Sequence, residues 1–397
     1  MKIKLGIFFG GKSVEHEIAV ITANQAYANI DKEKYEIVPI YISKKGVLYT
    51  GDHLFELEQY KNIDKLLESC TQVMIINDGT NVKVLKYPIK KFGKNIINTI
   101  DIAFPIMHGT NGEDGTIQGY LELLGLPYIG CDIISSSVGM DKIVFKKILK
   151  ESGLPVVDYV SFYSMEYITK EEEIKNEIEE KLGYPVIVKP GNLGSSIGIK
   201  KAKTKSELEE AIEFATEFSD RIIVEKAVIN LREINCSVIG DSIHCVPSVC
   251  EEPISTDEIL SYTDKYASGG KGQQNQQGQK AMAAAQKKLP ADLSDKKRTE
   301  IENLATKTFK VIGASGVARI DFLMEKQTET VYVNEINTIP GALSYYLWEA
   351  TGKTFTQEID ELVSIALKRK RQRENTIFSY EKNILALNGN KMGIKKK

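Results

Sequence analysis

Paired cysteines are missing from this sequence. Five are present, Cys70, Cys131, Cys236, Cys245 and Cys250, an odd number with no CxxC spacing. That argues against a disulfide framework and against a zinc knuckle. Long apolar runs are missing too: none approaches the ~20 residues needed to span a bilayer. So is an excess of positive charge, because 52 Lys and Arg stand against 54 Asp and Glu, a formal net charge of -2. Neither nucleic acid nor an anionic membrane is therefore expected as a main partner. The N-terminus runs straight into the apolar segment Ile3–Phe9, without the basic region, apolar stretch and cleavage site of a leader. These absences lead to the expectation of a cytoplasmic protein. No internal repeat is visible.

What is there is ordinary for a folded chain. It has 397 residues, 42% hydrophobic and 27% charged. At roughly 100–200 residues per domain, the length predicts two to four domains. The first third alternates short apolar runs with helical stretches. Lys4–Phe9, Glu36–Ile42, Gln72–Ile76 and Asp101–Pro105 read as strands. A helical stretch follows Gly10-Gly11 through about Ile30, and another covers Thr116–Leu124, with Gly125 placed to close it. That alternation predicts an open α/β sheet, with ligands beyond the carboxyl ends of its strands.

A second unit begins near Ser137. It has a helix over Val138–Ser152, strands at Val156–Val160 and Pro185–Lys189, and a charged helix at Lys170–Leu182. A third begins around Arg221. Its strands are near Arg221–Glu225, Ile234–Ile239, Gly316–Leu323 and Thr330–Glu335, with helices at Ser294–Val311 and Thr356–Lys370. Ala267–Lys288 breaks the pattern with Gly, Gln and Lys and almost no large apolar residue, so a mobile loop or lid is expected there.

Gly6 to Ser13 satisfies the pattern GxxxxGK[ST]. A P-loop needs its glycine after a strand, however, and Gly6 lies inside the apolar run Leu5–Phe9. The favoured reading is a strand and a Gly-Gly turn into a helix, which would still bring N–H groups and Glu15 near a ligand.

The strongest chemical signal is Gly316-Val-Ala-Arg319-Ile-Asp321 followed by Val333-Asn-Glu335-Ile-Asn337. Residues i and i+2 of a strand share a face. If these two strands pair as a hairpin, four polar side chains can converge. Asp, Glu and Asn are hard oxygen ligands of the kind Mg²⁺ takes together with substrate phosphates. Arg319 could stabilise charge on a reacting oxygen. The blander reading is an Arg–Asp ion pair and a strand end capped by Asn337. The second signal is the strand Val186–Lys189 followed by Pro190-Gly191-Asn-Leu-Gly194-Ser195-Ser196-Ile-Gly198, a lysine and a glycine-rich turn fit to cradle phosphate. The third is the turn His108 to Gly119, at a strand end and rich in glycine. There the competing reading is a helix start capped by Glu113 and Asp114. Glu225-Lys226 ends a further strand, where a base or ribose could be held.

These segments, in this order, resemble the D-alanine–D-alanine ligase family of ATP-grasp enzymes, over about Lys4 to Ile365. The resemblance implies an α/β chain with a three-domain ATP-grasp fold. Residues 1–136 would form an N-terminal substrate-binding open α/β (Rossmann-like) domain, 137–220 a central ATP-grasp subdomain, and 221–372 the catalytic domain. A lid insert at 261–290 and a flexible tail at 373–397 complete that division. By resemblance, Lys142, Lys189, Ser195, Ser196, Glu225, Lys226, Val228, Glu233 and Lys265 would surround ATP. Asp321, Glu335 and Asn337 would hold Mg²⁺ or Mn²⁺, two ions in all. Glu15, Ser195, Arg319 and Tyr266 would be the catalytic set. His108, Glu113, Tyr262, Lys265, Gly341 and Tyr346 would join Glu15 around the amino acids.

The implied reaction joins two D-alanines through an acyl phosphate, for peptidoglycan precursor synthesis. The implied partners are ATP and amino acids, and a homodimer is allowed. Tyr346 departs from the pattern, because many members have a serine there. That leaves open a different acceptor, such as D-serine, D-lactate or a larger amino acid. A nucleotide-binding regulator without catalysis is the remaining alternative.

Overall fold

The protein is described by a computed structural model over residues 2–254 and 287–377. Three sheets organise it. The first has seven strands: β1 (Ile3–Gly10), β2 (Tyr35–Ile42), β3 (Leu48–Thr50), β4 (Thr71–Asn77), β5 (Val82–Lys86), β6 (Ile96–Ile100) and β7 (Ile102–Ile106). Their order is β6-β5-β4-β3-β2-β1-β7. β1 runs parallel to β2 and β7, as the helical crossovers require, while β2 to β6 follow one another antiparallel. The sheet is thus mixed. Leu5, Ile7, Phe8 and Phe9 of β1 are fully buried. The side chains proposed for a P-loop are therefore core, and Gly6 is mid-strand.

The second sheet contains β8 (Tyr159–Tyr163), β9 (Val186–Pro190), β10 (Lys200–Ala202) and β11 (Arg221–Lys226), in the order β10-β9-β11-β8. Helices Ser164–Lys181 and Lys205–Thr216 bury Ile174, Ile178, Leu208 and Ile212 against it. The sequence suggested that Arg221 opens the third unit. Instead β11 pairs with β8 and β9, so it belongs to this sheet. The first strand of the unit also lies later than expected. Pro155 accepts a hydrogen bond from Val333 N (2.8 Å), so the chain at 155 is tied to the third sheet before β8 begins.

The third sheet is antiparallel, with β12 (Leu231–Gly240), β13 (Cys245–Pro253), β14 (Lys287–Lys288), β15 (Gly316–Glu325) and β16 (Val331–Asn337) in the order β14-β13-β12-β15-β16. Helix Asp295–Val311, capped by Ser294, covers one face through Ile301, Ala305 and Phe309. The other face is left for the cleft. The closing helix Phe355–Glu374 returns to the first sheet and buries Ile359, Leu362 and Val363 in the same core as Leu5 and Ile7.

The helix expected over Val138–Ser152 is two helices, Ile133–Met140 and Lys142–Glu151. Asp141 leaves the helical region (ψ 99°), and its side chain accepts from Ile143 N and Val144 N. A capping side chain of this kind satisfies otherwise orphaned donors, so it restarts the helix and not merely kinks it.

Candidate active site

The site is assembled where the three sheets face one another. On the third sheet, register sets most of it. Glu251 of β13 lies opposite Asn235 of β12, Asn235 opposite Asp321 of β15, and Asp321 opposite Glu335 of β16. Directly opposed residues of neighbouring strands share a face. A row of polar side chains therefore crosses four strands. A second row, two residues along, holds Ser237, Arg319 and Asn337. The expected hairpin is present, and the four expected side chains do share one face.

Arg319 grips both oxygens of Asp321, Nε to Oδ1 at 2.7 Å and an Nη to Oδ2 at 2.8 Å. Asn337 Nδ2 donates to Asp321 Oδ2 at 3.0 Å. The ion pair that was the blander reading is thus real, and the two carboxylates and the amide that the resemblance assigns to metal lie beside it. That set fits a divalent ion by its chemistry: hard oxygens on adjacent strands, next to lysines that can hold phosphate. Among the described residues, the one group of three carboxylates close enough to chelate is Glu171, Glu172 and Glu209. All three contact the Lys175 ammonium (2.9, 2.5 and 2.7 Å), which already supplies their cation.

The second cluster joins the helix Lys142–Glu151 to the second sheet. Lys189 Nζ donates to Glu225 Oε2 at 2.7 Å, and Lys146 Nζ lies 3.2 Å from Glu225 Oε1. Burial pushes the Glu225 carboxyl up, but the Lys146 and Lys189 ammoniums outweigh it and hold it at about 2. Burial lowers Lys146, against the pull of Glu225. Lys142 Nζ donates to Leu193 O (2.7 Å) and lies 3.4 Å from Glu335 Oε2, so it bridges the glycine-rich loop and the third sheet. Sequence reasoning missed Lys146. Its spacing of four from Lys142, one helical turn, was the available signal.

The glycine-rich loop follows β9. Ser195 and Ser196 both sit at φ 57°, a left-handed conformation that costs a non-glycine residue of order 1 kcal/mol. The turn delivers the Ser195 hydroxyl to Glu15 Oε1, a hydrogen bond between the second sheet's loop and the start of helix His16–Asn29. Gly194 lies against Glu15 as well: a Cβ there would stand 3.4 Å from Oε2. Lys226 ends β11 exposed, Val228 is half-buried just beyond it, and Glu233 lies on β12 two residues before Asn235.

Glu113 joins the first and third units: its oxygens accept from Gly109 N (2.9 Å) and Ile339 N (3.0 Å). Burial, and the Glu15 carboxylate after it, push its carboxyl up. His108 is buried, with Nδ1 2.8 Å from Ile339 O and Nε2 2.9 Å from Thr22 Oγ1. Facing a carbonyl, Nδ1 carries the proton, so Nε2 accepts from Thr22. Burial lowers His108 to about 4. Both ring nitrogens are engaged in fastening the loop, so His108 supports the cleft from behind. The chain beyond Gly341 turns left-handed at Ala342, Leu343 and Ser344 (φ 50°, 53° and 57°). That turn leads into helix Tyr345–Thr351 and brings the Tyr346 hydroxyl to Glu251 Oε1 (2.7 Å). Tyr262, Lys265 and Tyr266 lie outside the described residues, as does most of the Gly/Gln/Lys-rich segment.

A cleft that sets lysines, a tight glycine-rich loop and a carboxylate pair between two antiparallel sheets defines an ATP-grasp ligase. The particular family follows from comparison with known proteins. The model for "D-ala D-ala ligase N-terminus" matches residues 4–131, and that for "D-ala D-ala ligase C-terminus" matches residues 148–364. The chain is 42% identical over 386 residues to a D-alanine–D-alanine ligase of Thermosipho melanesiensis, covering 97% of this chain and 99% of that one. It is 39% identical to one of Clostridium acetobutylicum over 377 residues, 93% and 99% of the two chains. Among solved structures, the D-alanine-D-alanine ligase from Coxiella burnetii matches with TM-score 0.74 and 28% identity, covering 94% and 96%. VanG D-Ala:D-Ser ligase from Enterococcus faecalis matches with TM-score 0.75 and 30% identity, covering 92% and 100%. The chain belongs to the D-alanine–D-alanine ligase family.

Proposed function

We propose that this protein joins two D-alanines at the expense of ATP, for peptidoglycan precursor synthesis. The observation that carries the reading is the Glu15–Ser195 contact at one end of the cleft and Arg319 at the other, with Lys142 and Lys189 between. Glu15 would receive the ammonium of the first D-alanine. Lys142, Lys189 and the Ser195-Ser196 turn would hold the phosphates, with Glu225, Lys226, Val228 and Glu233 around the nucleoside. The first carboxylate attacks the γ-phosphorus, giving an acyl phosphate and ADP. The amine of the second D-alanine then attacks the acyl carbon, and phosphate leaves. Arg319 would stabilise the oxyanion of that step. Asp321, Glu335 and Asn337 would hold divalent metal, Mg²⁺ or Mn²⁺ and two ions, which neutralises phosphate charge. Glu113 and His108 would act by holding the Gly109 and Ile339 backbones in place.

D-Alanine is favoured as acceptor over D-serine. The relatives named D-alanine–D-alanine ligase reach 43% identity, whereas the D-Ala:D-Ser ligase stands at 30%. The test is ADP and phosphate release with a panel of amino-acid pairs, products identified by mass spectrometry. One phosphate per D-alanyl-D-alanine is expected. Release that needs no D-alanine, or a different product, would overturn the assignment.

A further inference from the structure

The polar row on the third sheet does not stop at the carboxylates expected to hold metal. It runs on through Asn235 to Glu251, at the end of the cleft opposite the lysine cluster. Glu251 is buried, yet it is a carboxylate with three neighbours in reach. Oε1 accepts from the Tyr346 hydroxyl at 2.7 Å and from Asn235 Nδ2 at 3.1 Å, and Oε2 lies 3.6 Å from Lys287 Nζ. The Lys287 ammonium sits 3.3 Å above the centre of the Tyr346 ring. Lys287 is carried there by β14, which pairs with β13.

A hydroxyl has one proton to give. The Tyr346 proton is committed to Glu251, so the phenol cannot at the same time donate to a carboxylate. The Arg319 fork already spends its Nε and one Nη on Asp321. Three Arg319 N–H groups remain, which the reading above reserves for the reacting oxygen; among the described residues, Lys287, with three donors and one carboxylate at 3.6 Å, is a further cation in this corner with donors to offer. Burial lowers its proton affinity, Glu251 raises it in part, and Arg319 lowers it again, which places the two cations in one field. A mobile ammonium over an aromatic face can swing to an incoming carboxylate while its stem stays packed.

We propose that Lys287 supplies a charged contact for the carboxylate of the second amino acid, and that Glu251 is the positioning residue that fixes Tyr346 and Lys287 beside Arg319. The inference rests on the ligase reading above, and on the acceptor lying at the Arg319 end. In that arrangement a tyrosine can stand where relatives carry a serine, because the carboxylate-binding proton has moved from a hydroxyl to an ammonium. The ligand class is a small α-amino acid with a free carboxylate.

The two Michaelis constants for D-alanine, donor and acceptor, are separated by following ADP formation over a wide D-alanine range in the full-length enzyme. Lys287→Met should raise the acceptor constant ~10-fold or more, the usual scale for a lost charged hydrogen bond. The donor constant and the ATP constant should stay within about twofold, within the scatter of such comparisons. Lys287→Arg should recover most of the loss. Glu251→Ala should raise the same constant, and Glu251→Gln, which still accepts from Tyr346, should restore it in part. A purely structural tie would instead depress kcat with every substrate or lower Tm, with no rescue by charge. Wild-type protein that makes no dipeptide would refute the ligase reading. Active wild type with an unchanged acceptor constant in Lys287→Met would refute this proposal alone.

Discussion

Glu225→Gln is the sharpest test of the cleft's electrostatics. Glu225 is 2% exposed and answers two buried ammoniums, Lys189 at 2.7 Å and Lys146 at 3.2 Å. The amide keeps the shape and removes the charge, leaving two cations facing each other. Breaking a buried pair by removing one partner costs ~3–5 kcal/mol. The carboxyl's own proton affinity gives an independent figure. At ~1.4 kcal/mol per tenfold change, a group held at about 2 instead of 4.5 is worth about 3 kcal/mol. At ~2–4 °C per kcal/mol for a domain of this size, a loss of ~3–5 kcal/mol should lower Tm by roughly 6–20 °C.

The pH dependence carries the sign. In the wild type, Glu225 is depressed, so its contribution is present above pH 4.5 and is lost as pH falls toward about 2. In the variant the carboxylate no longer raises Lys146, whose folded-state proton affinity is already lowered by burial. The folded variant then binds fewer protons than the unfolded chain in alkaline solution, so its deficit should narrow as pH rises from 7 toward 10. ATP should also raise the variant's Tm more than the wild type's, because phosphates bring the missing negative charge. Scanning calorimetry across that range measures all three effects. A Tm within about 2 °C of wild type, well under the shift worked out above, or a deficit that is flat with pH, would refute the reasoning.

Arg319→Ala should lose roughly 10²–10³ in turnover while still binding ATP, since one preorganised charge donor is gone. Near-normal kcat would contradict that role. Lys189→Ala should weaken a non-hydrolysable ATP analogue strongly in calorimetric titration. Lys12→Ala should not, because Lys12 is exposed at the turn after β1, and equal losses would overturn the nucleotide placement. His108, lowered from 6.5 to about 4, gives stability that is full above pH 6.5 and lost as pH falls toward 4. Between pH 6.5 and 5 the wild type should therefore lose ~2 kcal/mol more than His108→Gln in denaturant unfolding, and parallel curves would exclude this role.

What was legible in the sequence is what local pattern determines. Arg319, Asp321, Glu335 and Asn337 could be placed on one face because alternation along a strand is fixed by geometry and the two runs are near in sequence. Asn235 could have been found too: Glu233, Asn235 and Ser237 are polar at every second position, alternating with Ile234, Cys236 and Val238. Glu251 could not, because its place in the row depends on the β12–β13 register, which has an irregularity between Cys236 and Val238. The strand itself was hidden by Pro247 and Pro253, residues that ordinarily argue against a ladder. The break at Asp141 was missed because an aspartate inside a helical pattern reads equally well as a surface residue. The left-handed turn at Ala342, Leu343 and Ser344 has no glycine to announce it. Only its tertiary setting, with Ala342 N donating to Thr22 Oγ1 at 3.3 Å, makes it tolerable.

The pairings in the cleft bear on how catalysis divides from folding. Lys189 and Lys146 face Glu225, Lys142 faces Glu335, and Arg319 faces Asp321. Cations grouped this closely without partners would repel and carry an uncompensated desolvation cost of several kcal/mol each. Under the proposed reading, Glu225 balances its lysines beside the nucleoside, and Asp321 and Glu335 balance Arg319 and Lys142 while offering oxygens to metal. A ground-state substrate that meets cations already balanced in this way gains little. Charge that develops at a new position during phosphoryl or acyl transfer has no carboxylate of the protein mirroring it, so the same cations stabilise it more. The variants should separate accordingly. Removing Glu225, a buried partner on the second sheet, should appear first in Tm. Removing Arg319, half-buried and proposed to face the oxyanion, should appear first in kcat with Tm changed less. If Arg319→Ala destabilised the fold as much as Glu225→Gln while turning over normally, the pairing would be structural throughout and the cleft would owe its rate to positioning alone.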